Sequence, residues 1–225
     1  IALPPPACPY PGMVPFQSDD AAYFYGREAE IKHMVQHLRQ QPFLMLIGPS
    51  GSGKSSLVHA GLLPELAQSR YFEADYWLLR TLRPGANPSK RLAEQLETLD
   101  GQSEYCAHTI QRLLARHAPA QQVLLLIDQF EEVFTQADRG QQQRFINAIN
   151  VLRTLESCSL LLTMRADFYP DLMISELWPV DASQRVEITP LRGEALRAAI
   201  EKPATAVGVR LEDSLVARLL ADAAE

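Results

Sequence analysis

Short uninterrupted apolar runs alternate along this chain with longer stretches whose apolar positions recur at helical spacing. Phe43–Ile47 and Val123–Ile127 are of the first kind, and Ser159–Met164, Asp75–Leu82 and Val186–Ile188 read as three further strands. The second kind predicts helices over Arg27–Gln41, Lys54–Gln68, Ser89–Leu99, Ser103–His117, Gly140–Leu155, Arg192–Glu201 and Glu212–Ala224. In the first helix Ile31, Met34, Val35 and Leu38 share one face, Lys32, Gln36 and Arg39 lie on others, and Pro42 ends the run. Strands that are apolar throughout belong to a sheet covered on both faces, and helices between them supply the crossovers of a parallel sheet. The expected fold class is therefore α/β: a parallel five-stranded sheet flanked by helices, with a small C-terminal helical appendage.

Three regions follow from this pattern. Residues 1–22 carry five prolines between Pro4 and Pro11 and no strand or helix period, so they read as an extended linker. Residues 23–190 form the main α/β domain, and residues 191–225 begin a helical subdomain. With 225 residues, 47% hydrophobic and 21% charged, the chain has ample material for a buried core and is neither disordered nor fibrous. The net charge of −6, without a dense basic run, speaks against general nucleic-acid or anionic-membrane binding. No apolar stretch approaches the roughly 18 residues of a membrane span. Cys8, Cys106 and Cys158 are scattered without a CxxC pair, which argues against a disulfide framework or zinc site, and Cys158 reads as a small core residue. The opening residues lack the basic and apolar regions of a signal peptide, so the default compartment is the cytoplasm, and the start at Ile1 suggests a piece of a longer chain.

The most informative segment is Gly48-Pro49-Ser50-Gly51-Ser52-Gly53-Lys54-Ser55, a GxxxxGKS pattern between an apolar strand and a helix. Its glycines let backbone N–H groups turn inward around a phosphate, and the helix N-terminus adds free donors. Lys54 supplies a mobile cation for the β- and γ-phosphates, and Ser55 a hydroxyl ligand for Mg²⁺. Ser56 stands beside the same loop. The chemistry is that of a nucleotide phosphate site.

Two more strand ends carry polar groups. Val123–Ile127 runs into Asp128, the position from which an acid holds Mg²⁺, usually through water, next to the phosphate-loop serine. Asp128 is followed by Gln129, so the carboxylate that aligns an attacking water is Glu131, the preferred candidate, or Glu132. Neighbours on a helical turn point about 100° apart, so only one of the two is expected to face the phosphate. Leu160–Met164 leads to Arg165, which either reaches a γ-phosphate or pairs with Asp167 or a helix acid.

Taken in order, these segments resemble the STAND class of P-loop ATPases (signal-transduction ATPases with numerous domains), most closely the bacterial novel-STAND branch. The likeness is carried by CPYPGMVPF, YFYGREAEI, GPSGSGKSSL, TLRPGANP, LLLIDQFEEVF, LLTMRADFYPDL and LRGEALRAAIEKPATAVGVRLEDSLVARLL. The resemblance implies an ASCE-type sheet, with one strand between the phosphate-loop strand and the Asp128 strand, and an ATP-dependent switch that hydrolyses ATP slowly. Asp128, Glu131 and Glu132 are spaced like the acids of the related NACHT ATPases. The same likeness makes Arg165 a sensor of the γ-phosphate and sets Gly26 and Arg27, within Tyr25–Glu28, against the adenine side. It further implies an upstream effector, downstream sensor repeats and oligomerisation on activation. STAND proteins continue into a winged-helix region with a Gly-x-Pro-type motif; none is recognisable before Glu225, so closure around ATP is expected to draw on more chain.

Other readings compete. A P-loop kinase needs an acceptor pocket and an Arg-rich lid, neither of which is visible in the sequence. An AAA+-like ATPase acting on nucleic acid is disfavoured by the acidic balance, and no NKxD motif points to guanine. His33 and His37 lack the Glu of HExxH, and His59, His108 and His117 have no partners at ligand spacing. Neither a GxSxG elbow nor a GxGxxG fingerprint is present.

Overall fold

The computed structural model describes residues 8–98 and 107–223. In β1 (Phe43–Gly48), β3 (Gln122–Ile127) and β4 (Cys158–Arg165) nearly every residue is buried. Successive side chains on a strand point to opposite faces, so continuous burial needs a core on each side. Phe43, Met45, Leu125 and Leu162 join one core, whereas Leu44, Leu46, Leu126 and Leu161 join the other. The first core is closed by α4 (Pro88–Gln95), α5 (Ala107–Arg116) and α7 (Arg139–Leu152), and the second by α1 (Glu28–Leu38) and the helical run that follows β1.

All pairings are parallel, in the order β2-β3-β4-β1-β5, with β2 (Trp77–Leu82) and β5 (Arg185–Glu187) at the edges. β4 thus stands between β1 and β3, as the ASCE arrangement requires. Gly48 is in register with Arg165, and Ile127 with Leu162, so the polar groups that end β1, β3 and β4 meet at one sheet edge.

The helical run after β1 has three parts: α2 (Lys54–Ser56), a π turn over Leu57–Leu62, and α3 (Leu63–Gln68). Wide turns of this kind accommodate a close neighbour. A Cβ on Gly61 would lie 2.7 Å from the Ile31 side chain and 3.1 Å from the Phe24 ring.

Several boundaries differ from expectation. β2 begins at Trp77 because Asp75 turns with a φ of 58°, and α4 stops at Gln95 because Glu97 takes a φ of 53°. α6 (Glu132–Thr135) and α8 (Tyr169–Ile174) were not predicted, each being too short to show a period. α9 (Gly193–Ala206) passes through the buried Pro203 and outruns its expected end, and α10 (Asp213–Asp222) follows. The expected helix start at 103–106, with Cys106, lies outside the described residues. Cys158 is fully buried in the core, as the sequence suggests.

Within the stretch expected to be an extended linker, residues 8–22 follow a defined path. Ser18–Tyr23 is a 3₁₀ helix whose entry is fixed by Asp20 accepting from the Gln17 N–H at 2.8 Å. The preceding residues lie across the phosphate loop. Phe16 N–H donates to Ser56 Oγ at 3.2 Å, and the Tyr10 hydroxyl donates to the Ile200 carbonyl on α9. Proline denies this segment a helix but not a fixed path, and that path is set by tertiary contacts no local pattern reveals.

Candidate functional site

The loop from Gly48 to Gly53 is built on backbone conformations that side chains resist. Gly51 and Gly53 have φ of +75° and +86°, and a Cβ on Gly48 would sit 2.2 Å from the Ile188 carbonyl oxygen. Ser52 is buried, its N–H donating to the Pro49 carbonyl at 3.3 Å, whereas Ser50 is exposed. Arg27 fastens this loop from behind. Its guanidinium is buried and donates to the carbonyls of Ser52 (3.0 Å) and Thr189 (2.6 Å) and to Glu30 (2.7 Å). Lys54 Nζ donates to the carbonyls of Gly48 and Pro49 at 2.9 and 2.8 Å. Burial lowers its pKa, and the neighbouring Glu131 carboxylate opposes that effect.

Asp128 is the polar hub. Its Oδ1 accepts from Ser55 Oγ at 3.0 Å and from Thr163 Oγ1 at 2.7 Å, and its Oδ2 accepts from Arg83 at 3.1 Å. Thr163 is almost wholly buried and also accepts from the Gln129 N–H at 2.9 Å, which holds Gln129 at a φ of 58°. That left-handed residue turns the chain off β3 so that Glu131 and Glu132 diverge. Glu131 lines the phosphate-loop cavity with its Oε2 accepting from the Arg165 N–H at 3.2 Å. Glu132 points away and accepts from the Gly85 N–H at 2.9 Å. In the amide orientation that satisfies its neighbours, Gln129 donates to Glu132 at 3.2 Å and accepts from Arg83 at 3.3 Å.

Arg165 makes the Asp167 pairing, one of the two alternatives weighed for it. Its guanidinium pairs with Asp167 while the residue lines the phosphate-loop cavity, and its Nε is buried without a hydrogen-bond partner. The cavity measures about 580 Å³ and is bounded by Gly12–Pro15, the loop, Lys54, Ser55, Glu131 and Arg165. A second cavity of about 360 Å³ shares Gly51, Gly53 and Ser56 with it and is apolar, walled by Phe16, Tyr25, Arg27, Leu191 and Leu196. Gly26 itself packs on α9: with φ at +87°, its Cβ would lie 2.3 Å from the Ala195 carbonyl oxygen.

A family model for Novel STAND NTPase 1 matches residues 9–225. The chain belongs to that family. No curated protein matches it. Among solved structures, this novel STAND NTPase is similar to a Walker-type ATPase of Pyrococcus abyssi, at 13% identity and a TM-score of 0.54, with 93% of this chain and 65% of that one covered. It is also similar to the ORC2 protein of Aeropyrum pernix, at 10% identity and a TM-score of 0.60, covering 92% and 56%. The Drosophila ORC bound to DNA gives 14% identity and a TM-score of 0.54, covering 95% and 53%. At these identities the likeness is one of fold, and the chain spans a little over half to about two thirds of those chains.

The donor set of this NTPase suits both a triphosphate and Mg²⁺: a glycine-rich loop at a helix start, one ammonium, one hydroxyl, and a carboxylate already within hydrogen-bond distance of that hydroxyl. Thr163 and Arg83 were missed by sequence reasoning. A threonine near the end of an otherwise apolar buried strand is a signal for the first; the pairing of Arg83 left none. Among the described residues no helix is long and apolar enough to cross a membrane.

Proposed function

We propose that this chain is the ATP-binding switch module of a larger multidomain protein, hydrolysing ATP slowly and converting nucleotide state into domain rearrangement or oligomerisation. One observation carries the reading: Ser55 Oγ, one residue into the helix after the loop, lies 3.0 Å from a carboxylate on a separate strand, Asp128. A plain Gly/Ser turn has no need of that partner, whereas a shared Mg²⁺ does.

In this reading the amides of Gly48–Gly53 surround the phosphates, Lys54 neutralises the β- and γ-phosphates, and Ser56 lies at the junction of the two cavities. Ser55 and Asp128 hold Mg²⁺, which when bound neutralises developing phosphate charge. Glu131, facing the cavity, orients the attacking water, and Arg165 exchanges Asp167 for the γ-phosphate. The apolar cavity receives the base, an assignment in keeping with the ADPNP–ADP complexes named for the Aeropyrum protein and with the absence of NKxD. Arg27 fixes the loop there rather than touching phosphate, and Gly26 lets α9 approach.

Switching requires that ATP bind two arrangements with different affinity. Leu191 and Leu196, from the start of the helical subdomain, and Phe16, from the segment before the α/β domain, wall the same cavity, so a bound base contacts three parts of the chain at once. The partners expected are an upstream effector, downstream sensor repeats and further copies of the protein, in the cytoplasm; membrane and nucleic acid are not expected. Calorimetric titration tests the reading. Lys54→Ala is expected to abolish Mg·ATP binding, and an unchanged affinity in that variant refutes it.

A further inference from the structure

A third cleft, of about 330 Å³, lies between the end of β2, α4 and the π turn, with Ser55 and Asp128 in its wall. We propose that this cleft binds a small dianionic oxyanion, a phosphate or a dicarboxylate, through Arg83 and Arg91, and that the ligand draws Arg83 off Asp128. Two guanidinium groups on separate elements line the cleft. The Arg91 side chain, on α4, makes no hydrogen bond or ion pair among the described residues. The acid beside it, Glu94, faces Lys90 at 4.0 Å instead.

The Arg91 guanidinium lies beside bare backbone. A Cβ on Gly85 would lie 3.4 Å from its Nε, and Gly85 is itself fixed by its N–H bond to Glu132. Arg83 is half exposed and gives one guanidinium nitrogen to Asp128 and to the Gln129 amide oxygen, which leaves its other two nitrogens for a ligand. The titratable groups facing the cleft are Arg83, Arg91, His59, Glu94 and Asp128; Asp128 loses Arg83 as the anion binds and then opposes it unless Mg²⁺ takes over the charge, which is the source of the coupling. A planar fork beside a second guanidinium suits an oxyanion with two or more acceptors.

The consequence for the nucleotide site rests on the Mg²⁺ reading above. Asp128 Oδ2 faces Arg83, so an anion that takes Arg83 frees that oxygen for the hydration shell of Mg²⁺. Linkage is reciprocal: the anion lowers the Mg²⁺ needed, and Mg²⁺ strengthens anion binding.

The test follows the side-chain Nε–H resonances of Arg83 and Arg91 by NMR, in the 225-residue chain, during titrations with inorganic phosphate and, separately, succinate. Ionic strength is held constant, and the resonances are assigned by their loss in Arg83→Ala and Arg91→Ala. Both are expected to shift saturably with at least one probe, and Arg91→Ala to weaken the response at Arg83 roughly tenfold or more. The Mg²⁺ midpoint for binding a non-hydrolysable ATP analogue is expected to fall by about fivefold with the anion. Arg91→Ala removes that dependence, and Arg83→Ala lowers the midpoint without any anion. Resonances that ignore both probes, or an Arg83 response untouched by Arg91→Ala, overturn the site. A midpoint that ignores a bound anion overturns the coupling. If the arginines respond while the analogue fails to bind, the nucleotide reading falls and the anion site stands.

Discussion

Thr163→Val isolates the support of the Asp128 carboxylate from the carboxylate itself. Valine nearly keeps the volume of a side chain that is 1% exposed, so packing barely changes. It removes a 2.7 Å donor from Asp128 Oδ1 and the acceptor of the Gln129 N–H at 2.9 Å. A hydrogen bond to a charged group contributes about 1.5–3 kcal/mol, and a buried N–H left unpaired costs about 1–3 kcal/mol. The two losses share a partner network and do not add fully, so the expected destabilisation is about 2–4 kcal/mol. Thr163→Ser keeps the hydroxyl and gives up one methyl group, for about 1 kcal/mol. Urea unfolding of the three proteins measures the difference. The reasoning is refuted if valine lies within about 0.5 kcal/mol of wild type, or if serine and valine are equally damaging.

Further outcomes follow from the same geometry. Glu131→Gln is expected to slow phosphate release about a hundredfold or more while leaving ATP affinity within about threefold, the change expected when a group that aligns water loses its charge. Glu132→Gln, whose carboxylate holds the Gly85 N–H, is expected to cost about 1 kcal/mol of stability and leave turnover nearly intact. If the two variants exchange these phenotypes in a phosphate-release assay, the assignment of the carboxylates is wrong. Burial pushes the Cys158 thiol up to about 12. Its thiolate is therefore scarce at pH 8, and iodoacetamide is expected to label Cys158 only as the protein unfolds, while the exposed Cys8 reacts at once. Rapid labelling of Cys158 in the folded protein, read by peptide mass analysis, contradicts its placement.

Much of this architecture is written in local pattern. Val123–Ile127 and Leu160–Leu162 are apolar without a break because each is covered on both faces, and such runs need no tertiary information to be recognised. The phosphate loop is equally legible, since the left-handed turns at Gly51 and Gly53 are demands of the loop itself, although Gly48 also answers to the distant Ile188 carbonyl. What stayed hidden depends on distant partners. Gly26 stands just before a predicted helix, yet the contact that requires glycine is the Ala195 carbonyl on α9. Spacing leaves Glu131 and Glu132 open, because their divergence depends on the left-handed turn at Gln129 that Thr163 secures from another strand. Arg83 follows the predicted strand with no sign of a partner, and only the pairing of β2 with β3 brings it to Asp128.

The most direct test of the account is the affinity for ATP with and without Mg²⁺, measured by calorimetry on the wild-type chain and on Asp128→Asn. A metal shared between the hydroxyl of Ser55 and that carboxylate predicts that Mg²⁺ tightens binding in the wild type and has no effect in the variant. Equal tightening by Mg²⁺ in both proteins would contradict it.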